Sequence, residues 1–348
     1  MTPASILIYA GLELMGDGFI KLPFARAVRA AFPDARITWL AGKGRTVYAH
    51  ELAPLVQGVL DEVIEDVGIG KHWTELFGKR PLSGRHFDLV IDTQSRVMTT
   101  LILRRVQHHR YLSQTAKFLF SDYRPRSGYK KPKHLHHRLF DLIVLATGRP
   151  APSPEPGELP ADAVAAAKRL LPDGPLYVGI APGAGNRRKC WPLERFARLA
   201  TAQVERGRVP VFILGPAEAA WRQQLAASVP AARFPNQDAA DAGIATGPVL
   251  TLALTRRLAA AVSNDSGGGH ILAEGGVPLV SLWGPTVVDK AYPMARRLKL
   301  VTAQQFGGEA MELIPMEAVE AALETLIADP NADDKPVVVS EALSVVPV

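Results

Sequence analysis

The chain has 348 residues, 47% of them hydrophobic and 21% charged, with a formal net charge of +6. This composition is typical of a globular protein large enough for two domains, and it excludes a disordered or collagen-like chain. The single cysteine, Cys190, excludes an intrachain disulfide and fits a reducing compartment. No apolar run reaches the roughly 18 residues that cross a bilayer, and the first residues resemble a strand rather than a signal peptide. We therefore expect a cytoplasmic protein.

Strand and helix patterns alternate through the first half of the chain. Alternation of this kind indicates an α/β fold with a parallel sheet and right-handed crossovers. The predicted elements are a strand at 5–10, a helix at 19–31, a strand at 36–41, a helix near 45–52 and strands at 62–65 and 87–92.

A proline-rich stretch at 148–160 has no periodicity and is the predicted linker between two domains, 1–150 and 151–330. The same alternation resumes after it, and residues 331–348 are predicted to be a loosely docked tail. We expect two Rossmann-like units with the site in the cleft between them. The elements predicted in the second half are strands at 176–181, 209–214, 261–263 and 278–283, and helices at 193–206, 217–228, 250–260, 268–274 and 315–328.

Two loops in the second half each join a predicted strand to a predicted helix: 182–192 (PGAGNRRKCWP) and 264–270 (NDSGGGH). The backbone N–H groups at a helix start favour an anion, above all a phosphate. Lys189 could neutralise a departing diphosphate, although it could also be an ordinary surface lysine. Asp265 could hold sugar hydroxyls, and Ser266 could either cap the helix or bind phosphate. Together the loops predict a site for a nucleotide diphosphate.

Three carboxylates lie near other strand ends. Asp17 follows the first strand and could remove a proton from a hydroxyl, or it could only cap the helix. Glu13 lies close by and is the reserve candidate for that base. Glu218 follows the strand-to-helix turn at 214–216, where it could bind a ribose diol or merely complement the helix dipole.

Residues 104–138 contain ten Lys and Arg against one acid, Asp122. Such a segment predicts an anionic partner, whether lipid headgroups, an acidic glycolipid or nucleic acid, unless it is a solvated surface loop. The pair Asp333–Asp334 lies in the predicted tail, and no DxD-like pair occupies a suitable loop. We therefore expect chemistry that requires no metal.

Three segments in order resemble the signatures of glycosyltransferase family 9, the ADP-heptose:lipopolysaccharide heptosyltransferases. They are GDGFIKLPFARAVRAAFPDARITWL, PGAGNRRKCWPLERFARLA and SNDSGGGHILAEGGVPLVSLWGPT. The resemblance spans about residues 5–328. It implies a GT-B fold, in which two Rossmann-like domains face a central cleft. It also implies inverting transfer of a sugar, by default heptose from ADP-heptose, to a lipopolysaccharide core or related glycan.

The resemblance assigns roles to the candidate residues. Asp17 would be the catalytic base, Lys189 would bind the donor phosphates, Asp265 the donor sugar, and Glu218 the nucleoside. The expected donor-binding residues are Gly183, Lys189, Glu218, Asp265, Ser266, Gly267 and His270. The expected acceptor-binding residues, which would hold an anionic glycolipid at the inner membrane surface, are Arg126, Lys130, Lys131 and Lys133. We expect neither a cofactor nor a nucleic-acid partner.

Two alternatives stay open. The first is another GT-B enzyme, either a transferase or an epimerase that uses a different nucleotide sugar. The second is a non-catalytic protein that binds a nucleotide or nucleic acid. Aromatic residues that could stack on bases lie among the charges of the basic segment: Tyr111, Phe118, Phe120, Tyr123 and Tyr129.

Overall fold

The computed structural model describes residues 2–154, 156–329 and 345–347. These residues form two compact units. The N-terminal unit contains the residues before 156 together with 345–347, and the C-terminal unit contains 156–329. Within the described residues, no helix has both the length and the apolar character needed to cross a membrane.

The N-terminal unit is built on a five-stranded parallel sheet flanked by helices. The strands of this sheet are β1 (Ser5–Tyr9), β2 (Arg36–Ala41), β3 (Glu62–Glu65), β4 (His86–Asp92) and β5 (Gln107–Ser113). A sixth strand of the unit, β6 (Tyr123–Pro125), lies outside this sheet. The helices of the unit are α1 (Met15–Ala31), α2 (Ala53–Val56), α3 (Val97–Leu103) and α4 (Leu135–Thr147). The sheet order is β3-β2-β1-β4-β5, and residues 6–9 of the central strand are fully buried because helices and loops cover both faces.

The predicted helix near 45–52 is wrong, because this stretch contains only a short 3-10 turn, Val47–Ala49. The Thr46 hydroxyl begins the turn by accepting from the Tyr48 N–H at 3.3 Å. The chain leaves helical geometry at His50 (φ −130°, ψ −103°), and Pro54 lies in the first turn of α2, where its missing N–H costs no hydrogen bond. Helix α1 begins at Met15, four residues before the predicted start.

The C-terminal unit has the same architecture. Its strands are β7 (Tyr177–Ala181), β8 (Val209–Phe212), β9 (Ala260–Asn264), β10 (Leu279–Trp283) and β11 (Leu298–Thr302). Its helices are α5 (Ala161–Leu170), α6 (Leu193–Glu205), α7 (Trp221–Ser228), α8 (Pro235–Asp241), α9 (Pro248–Thr255), α10 (Gly267–Glu274) and α11 (Met316–Ala328). Of these elements, α5, α8 and β11 were not predicted.

Alternate residues of the C-terminal sheet fill two separate cores. Val178, Ile180 and Val262 belong to the core on one face, whereas Ala181 and Ala261 belong to the core on the other. Successive side chains of a strand point to opposite faces. Strands buried on both faces therefore appear in the sequence as continuous apolar runs, which is why β7, β9 and β10 could be predicted.

The basic segment 104–138 is not a single solvated loop. It contains β5, β6 and the start of α4, and Tyr111 on β5 is fully buried. A further strand, β12 (Val345–Pro347), pairs antiparallel with β6, with Val345 opposite Pro125. The predicted tail 331–348 thus contributes one strand. Its other residues, Asp333 and Asp334 among them, lie outside the described residues.

Each sheet has a point where the strand order reverses. In the N-terminal sheet, order β3-β2-β1-β4-β5, this point lies between β1 and β4; in the C-terminal sheet, order β11-β10-β9-β7-β8, it lies between β7 and β9. Loops leaving the carboxyl ends of such strand pairs diverge to opposite faces and leave a crevice between them, where ligands of α/β proteins bind. These two points locate the candidate half-sites.

Candidate active site

Asn264 joins the two glycine-containing loops of the C-terminal unit. This residue ends β9 and is fully buried. Its Nδ2 donates to the carbonyl of Pro182 at 2.7 Å, and its Oδ1 accepts from the Trp191 N–H at 3.1 Å. One side chain thus fastens both ends of the 182–192 loop to the start of the 264–270 loop. No local pattern in the sequence marks Asn264 for this role.

Lys189 and Asp265 form an ion pair across the same two loops. The Nζ atom of Lys189 lies 2.7 Å from Oδ2 of Asp265. Lys189 ends a 3-10 turn that Asn186 caps by accepting from the Arg188 N–H at 3.0 Å. An ammonium group has three donors, so Lys189 can hold a phosphate oxygen while it contacts Asp265. The structure brings these two predicted donor residues together.

The start of α10 presents the residues predicted for the diphosphate pocket. Ser266 occupies the N-cap position, but its hydroxyl makes no capping bond, so helix capping does not account for it. Gly267 is the first residue of the helix, and His270 lies half-buried in its first turn. The unpaired N–H groups of this turn carry partial positive charge, which complements a diphosphate.

Glu218 lies directly over Gly183, at the ends of β8 and β7. Its Oε2 accepts from the Gly215 N–H at 3.1 Å, so this acid caps the turn that begins at Pro216. A β-carbon placed on Gly183 would come within 2.5 Å of the Glu218 Cδ. Gly183 is therefore needed for the close approach of this carboxylate. Glu218 therefore lies beside the 182–192 loop. The nucleoside contact that the resemblance implies for Glu218 stays a prediction.

The N-terminal unit has a cavity of about 270 Å³ at the reversal point between β1 and β4. Its polar lining includes Asp17, Lys21, Asp92, Gln94, Ser95 and Arg138. Asp17 and Lys21 come from α1 and Arg138 comes from α4, whereas Asp92 ends β4 and Gln94 and Ser95 follow it. The cavity is thus a site of mixed charge in which several polar groups converge, as is common in ligand sites.

Asp17 both caps α1 and lines this cavity. Its Oδ2 accepts from the Leu14 N–H at 3.2 Å, which accounts for the early start of the helix. The side chain is half-buried. The two interpretations of Asp17, as a helix cap and as a site residue, are therefore compatible.

Glu13, the reserve candidate for the base, is excluded from that role by its contacts. It is buried and pairs with Lys21 at 2.9 Å. Its other oxygen accepts from the Trp39 indole N–H at 2.8 Å and from the Thr46 hydroxyl at 2.7 Å. A carboxylate held by three donors and closed off from solvent stabilises the turn after β1 and cannot reach a substrate hydroxyl.

Asp92 is a cavity residue that the sequence analysis missed. It is fully buried, and it accepts from the hydroxyls of Thr100, Ser113 and Tyr111 at 2.6, 3.0 and 3.1 Å and from the Gln94 N–H at 2.9 Å. Burial raises the pKa of Asp92 to about 6, although these hydrogen bonds oppose the rise. The sequence contained one signal for this role, because Asp92 stands at the carboxyl end of a predicted strand, where ligand-binding residues of α/β sheets lie.

The predicted acceptor residues are exposed, and one of them contacts the cavity wall. Arg126, Lys130, Lys131 and Lys133 are all exposed. The Lys131 ammonium donates to the Ser95 hydroxyl at 3.5 Å, and burial together with the nearby charge of Arg138 lowers its pKa. Arg138, which was not predicted, lines the cavity, and its buried Nε has no hydrogen-bond partner among the described residues.

Two of the five aromatics that could have stacked on nucleic-acid bases are buried. Tyr111 is fully buried and Phe118 is 4% exposed. Neither ring can therefore present a face to a base. This removes much of the support for a single-strand nucleic-acid site in the basic segment.

Comparison with known proteins gives three close likenesses of fold. A glycosyl transferase family 9 protein from Veillonella parvula DSM 2008 matches with a TM-score of 0.71 and 20% identity over 94% of this chain and 98% of the other. ADP-heptose lps heptosyltransferase II of E. coli matches with a TM-score of 0.66 and 19% identity over 94% of this chain and 100% of the other. E. coli heptosyltransferase WaaC, solved with ADP, matches with a TM-score of 0.64 and 19% identity over 92% of this chain and 99% of the other. No match was found among the curated proteins.

These likenesses show the fold, two parallel-sheet α/β units of the GT-B type. The sequence model of glycosyltransferase family 9 (heptosyltransferase) matches residues 77–312, which is more than half of the chain. That range includes both loops joined by Asn264 and the whole basic segment. The chain therefore belongs to glycosyltransferase family 9, and it is a glycosyltransferase.

Proposed function

We propose that this glycosyltransferase moves a heptose from ADP-heptose to a lipopolysaccharide core or a related glycan acceptor, with inversion at the anomeric carbon. One observation carries the donor half of the proposal. The Lys189–Asp265 pair, which spans the two loops joined by Asn264, sets a cation and a carboxylate at a helix start where the strand order reverses. The family supports sugar transfer, and the heptosyltransferases similar in fold favour heptose as the default.

The donor binds to the C-terminal unit. Lys189 and the N–H groups of the first turn of α10 hold the diphosphate, and Asp265 accepts hydrogen bonds from sugar hydroxyls. Ser266, Gly267 and His270 line the diphosphate pocket. Gly183 and Glu218 form the nucleoside side, with Glu218 available to a ribose diol.

The acceptor binds to the N-terminal unit. Asp17 lines the cavity there, and Arg138 and Lys131 supply positive charge to acidic groups of the acceptor. The exposed Arg126, Lys130 and Lys133 extend this positive surface. A lipid-linked acceptor would bring the protein into peripheral contact with the cytoplasmic face of the inner membrane.

The transfer exchanges one bond for another. The acceptor oxygen attacks the anomeric carbon, and its proton passes to the Asp17 carboxylate. The bond between that carbon and the diphosphate oxygen breaks, and its electron pair leaves with ADP. Lys189 and the helix N–H groups neutralise the charge that develops on the leaving group, so no metal is required.

The test is nucleotide release from a panel of ADP-, UDP- and GDP-linked sugars with a lipopolysaccharide-core acceptor, with and without EDTA. We expect release of ADP from ADP-heptose, unchanged by EDTA. Asp17→Asn keeps a capping oxygen but cannot accept the proton, so kcat should fall by about 10²–10⁴ with the affinity for ADP unchanged. Asp34→Asn, an exposed aspartate after α1, is the matched control. Preferred release of UDP or GDP would instead identify a transferase that uses another nucleotide sugar. Conversion of a nucleotide sugar to its epimer without net release of nucleotide would identify an epimerase.

A further inference from the structure

A histidine pair and an aspartate lie together at the amino end of β4 and β5, the edge opposite to the cavity of the N-terminal unit. The possible ligand atoms of His86, Asp88 and His109 all lie within 4.8 Å of one another. Nε2 of His109 is 3.8 Å from Oδ1 of Asp88. The rings of His86 and His109 meet edge to face, with centroids 4.3 Å apart.

The register of the sheet produces this arrangement. Strands β4 and β5 run parallel, with Phe87 paired to His108 and Leu89 to Arg110, so His109 stands beside Asp88. His86 precedes Asp88 by two residues and therefore points to the same face of the sheet. Paired strands, rather than a mobile loop, hold all three side chains.

Hydrogen bonds orient the carboxylate of Asp88. Its Oδ2 accepts from the backbone N–H groups of Ala4 and Ser5 at 2.8 and 3.0 Å and from the Ser5 hydroxyl at 3.2 Å, which leaves Oδ1 toward His109. These hydrogen bonds fix the orientation of the carboxylate, as the hydrogen-bond partners of metal-binding carboxylates commonly do.

The charges beside this cluster do not oppose a cation strongly. The two nearby guanidinium groups, Arg85 and Arg36, both pair with Glu62, at 2.7 and 3.6 Å. His86 and His109 are exposed, so their rings can turn to bring three donors to the roughly 2.0–2.2 Å distance of metal coordination. Two imidazoles and one carboxylate suit zinc and its neighbours in the first transition row, and they do not suit magnesium or calcium.

We propose that His86, Asp88 and His109 form a binding site for a divalent transition-metal ion of the zinc type, with water completing the coordination. The ion links β4 to β5 directly, and it links both to the start of β1 through the hydrogen bonds of Asp88. The site is separate from the sugar-transfer machinery and does not depend on the donor or acceptor assignments. Its effect is on the stability of the N-terminal sheet.

The test is calorimetric titration of the full-length chain, freed of metal with a chelator, with Zn²⁺ and separately with Mg²⁺. We expect one zinc ion per chain and no heat with magnesium. His109→Ala and Asp88→Asn should each weaken zinc binding by about tenfold to a hundredfold. Thermal unfolding should shift upward with zinc in the wild type and not in His109→Ala.

The control is His108→Ala, because this neighbouring histidine of β5 points to the opposite face of the sheet. Its zinc affinity should match that of the wild type. If His109→Ala does not fold, His86→Ala tests the same site at an exposed strand start. Zinc affinity that is equal in the wild type, His86→Ala and His109→Ala would place the ion elsewhere and overturn the proposal.

Discussion

Three carboxylates near the ends of β1 and β4 show how environment separates residues of similar chemistry. Glu13 is buried in an ion pair with Lys21 and serves the fold. Asp17 is half-buried, caps α1 and lines the cavity. Asp92 is enclosed by hydroxyl donors, and burial raises its pKa to about 6. Of the three, Asp17 is the one that both lines the cavity and is only half-buried.

Lys189→Ala should weaken the binding of ADP by about tenfold to a hundredfold, because it removes a charge-assisted contact to phosphate. It also leaves the Asp265 carboxylate without its ion-pair partner, which adds repulsion of the diphosphate. Calorimetry with ADP measures the effect. Lys168→Ala is the control, since Lys168 is exposed and pairs with Asp173 elsewhere in the same unit. An ADP affinity equal to that of the wild type would remove Lys189 from the donor site.

Asp92→Asn should change how stability depends on pH. The folded state holds the proton of Asp92 up to about pH 6, whereas the unfolded chain releases it near pH 4. The group therefore stabilises the fold below about pH 4, and this contribution is lost as the pH rises to 6. It amounts to about 3 kcal/mol at most.

Urea unfolding of the wild type and of Asp92→Asn between pH 4 and 7 measures this effect. The free energy of unfolding of the wild type should fall, relative to the variant, as the pH rises through that window. Asp34→Asn, at an exposed position, should follow the wild type. Parallel curves for wild type and Asp92→Asn would show that Asp92 has an ordinary pKa in the folded state.

At the scale of elements, the C-terminal site is a set of loops held by a few side chains. Asn264 fastens the loop after β7 to the end of β9. Glu218 closes the turn after β8 by accepting from the Gly215 N–H, and its carboxylate lies over Gly183 of the loop after β7. The loops after three neighbouring strands thus meet at one edge of the sheet. Their N–H groups are fixed before a ligand arrives, which lowers the cost of binding it.

Gly183→Ala and Gly185→Ala form a matched pair within one loop. A β-carbon on Gly183 would displace the Glu218 carboxylate, whereas a β-carbon on Gly185 would meet only open space. Gly183→Ala should therefore weaken ADP binding by about tenfold with little loss of stability, because only a flexible side chain must move. Gly185→Ala should bind ADP as the wild type does. Equal ADP affinities for the two variants would show that Glu218 has no part in nucleotide binding.

At the scale of the whole molecule, the two units divide the chemistry. The candidate donor residues all belong to the C-terminal unit, and the cavity with Asp17 and the basic segment belong to the N-terminal unit. Each unit places its residues at the reversal point of its own sheet. Substitutions in one unit should therefore alter the binding of one substrate and leave the other unchanged.

Substitutions in the basic segment 104–138 test whether the N-terminal unit alone binds the acceptor. Replacing Lys130, Lys131 and Lys133 with Gln should raise the KM for the acceptor about tenfold or more, because each cation near an anionic surface contributes about 1 kcal/mol. The kcat and the affinity for ADP should not change, and the effect should shrink as salt screens the charges. A control triple in the C-terminal unit replaces the exposed Lys168, Lys290 and Lys299. An acceptor KM equal to that of the wild type would show that these three lysines are solvated surface residues with no part in acceptor binding.

Much of the fold could be predicted because its signals are local. Strand patterns in the sequence gave β2 and β3 with their observed bounds and the other predicted strands within a residue or two, whereas β5, β6, β11 and β12 were not predicted. Glycine and proline loops located both donor segments, and three ordered motifs led to the family. The helix predicted near 45–52 does not form because the Thr46 hydroxyl starts only a short 3-10 turn and the chain leaves helical geometry at His50.

The tertiary structure alone decided which residues meet. Asn264 reaches Pro182, 82 residues away, and Glu13 is enclosed by Trp39 and Thr46 from other elements. Asp92 and Arg138 come to one cavity, and Lys131 reaches its wall at Ser95, through the sheet order, which no local pattern encodes. The physical reason is that residue type and spacing set the backbone of each segment. Burial, pKa and partners arise only when distant segments pack together.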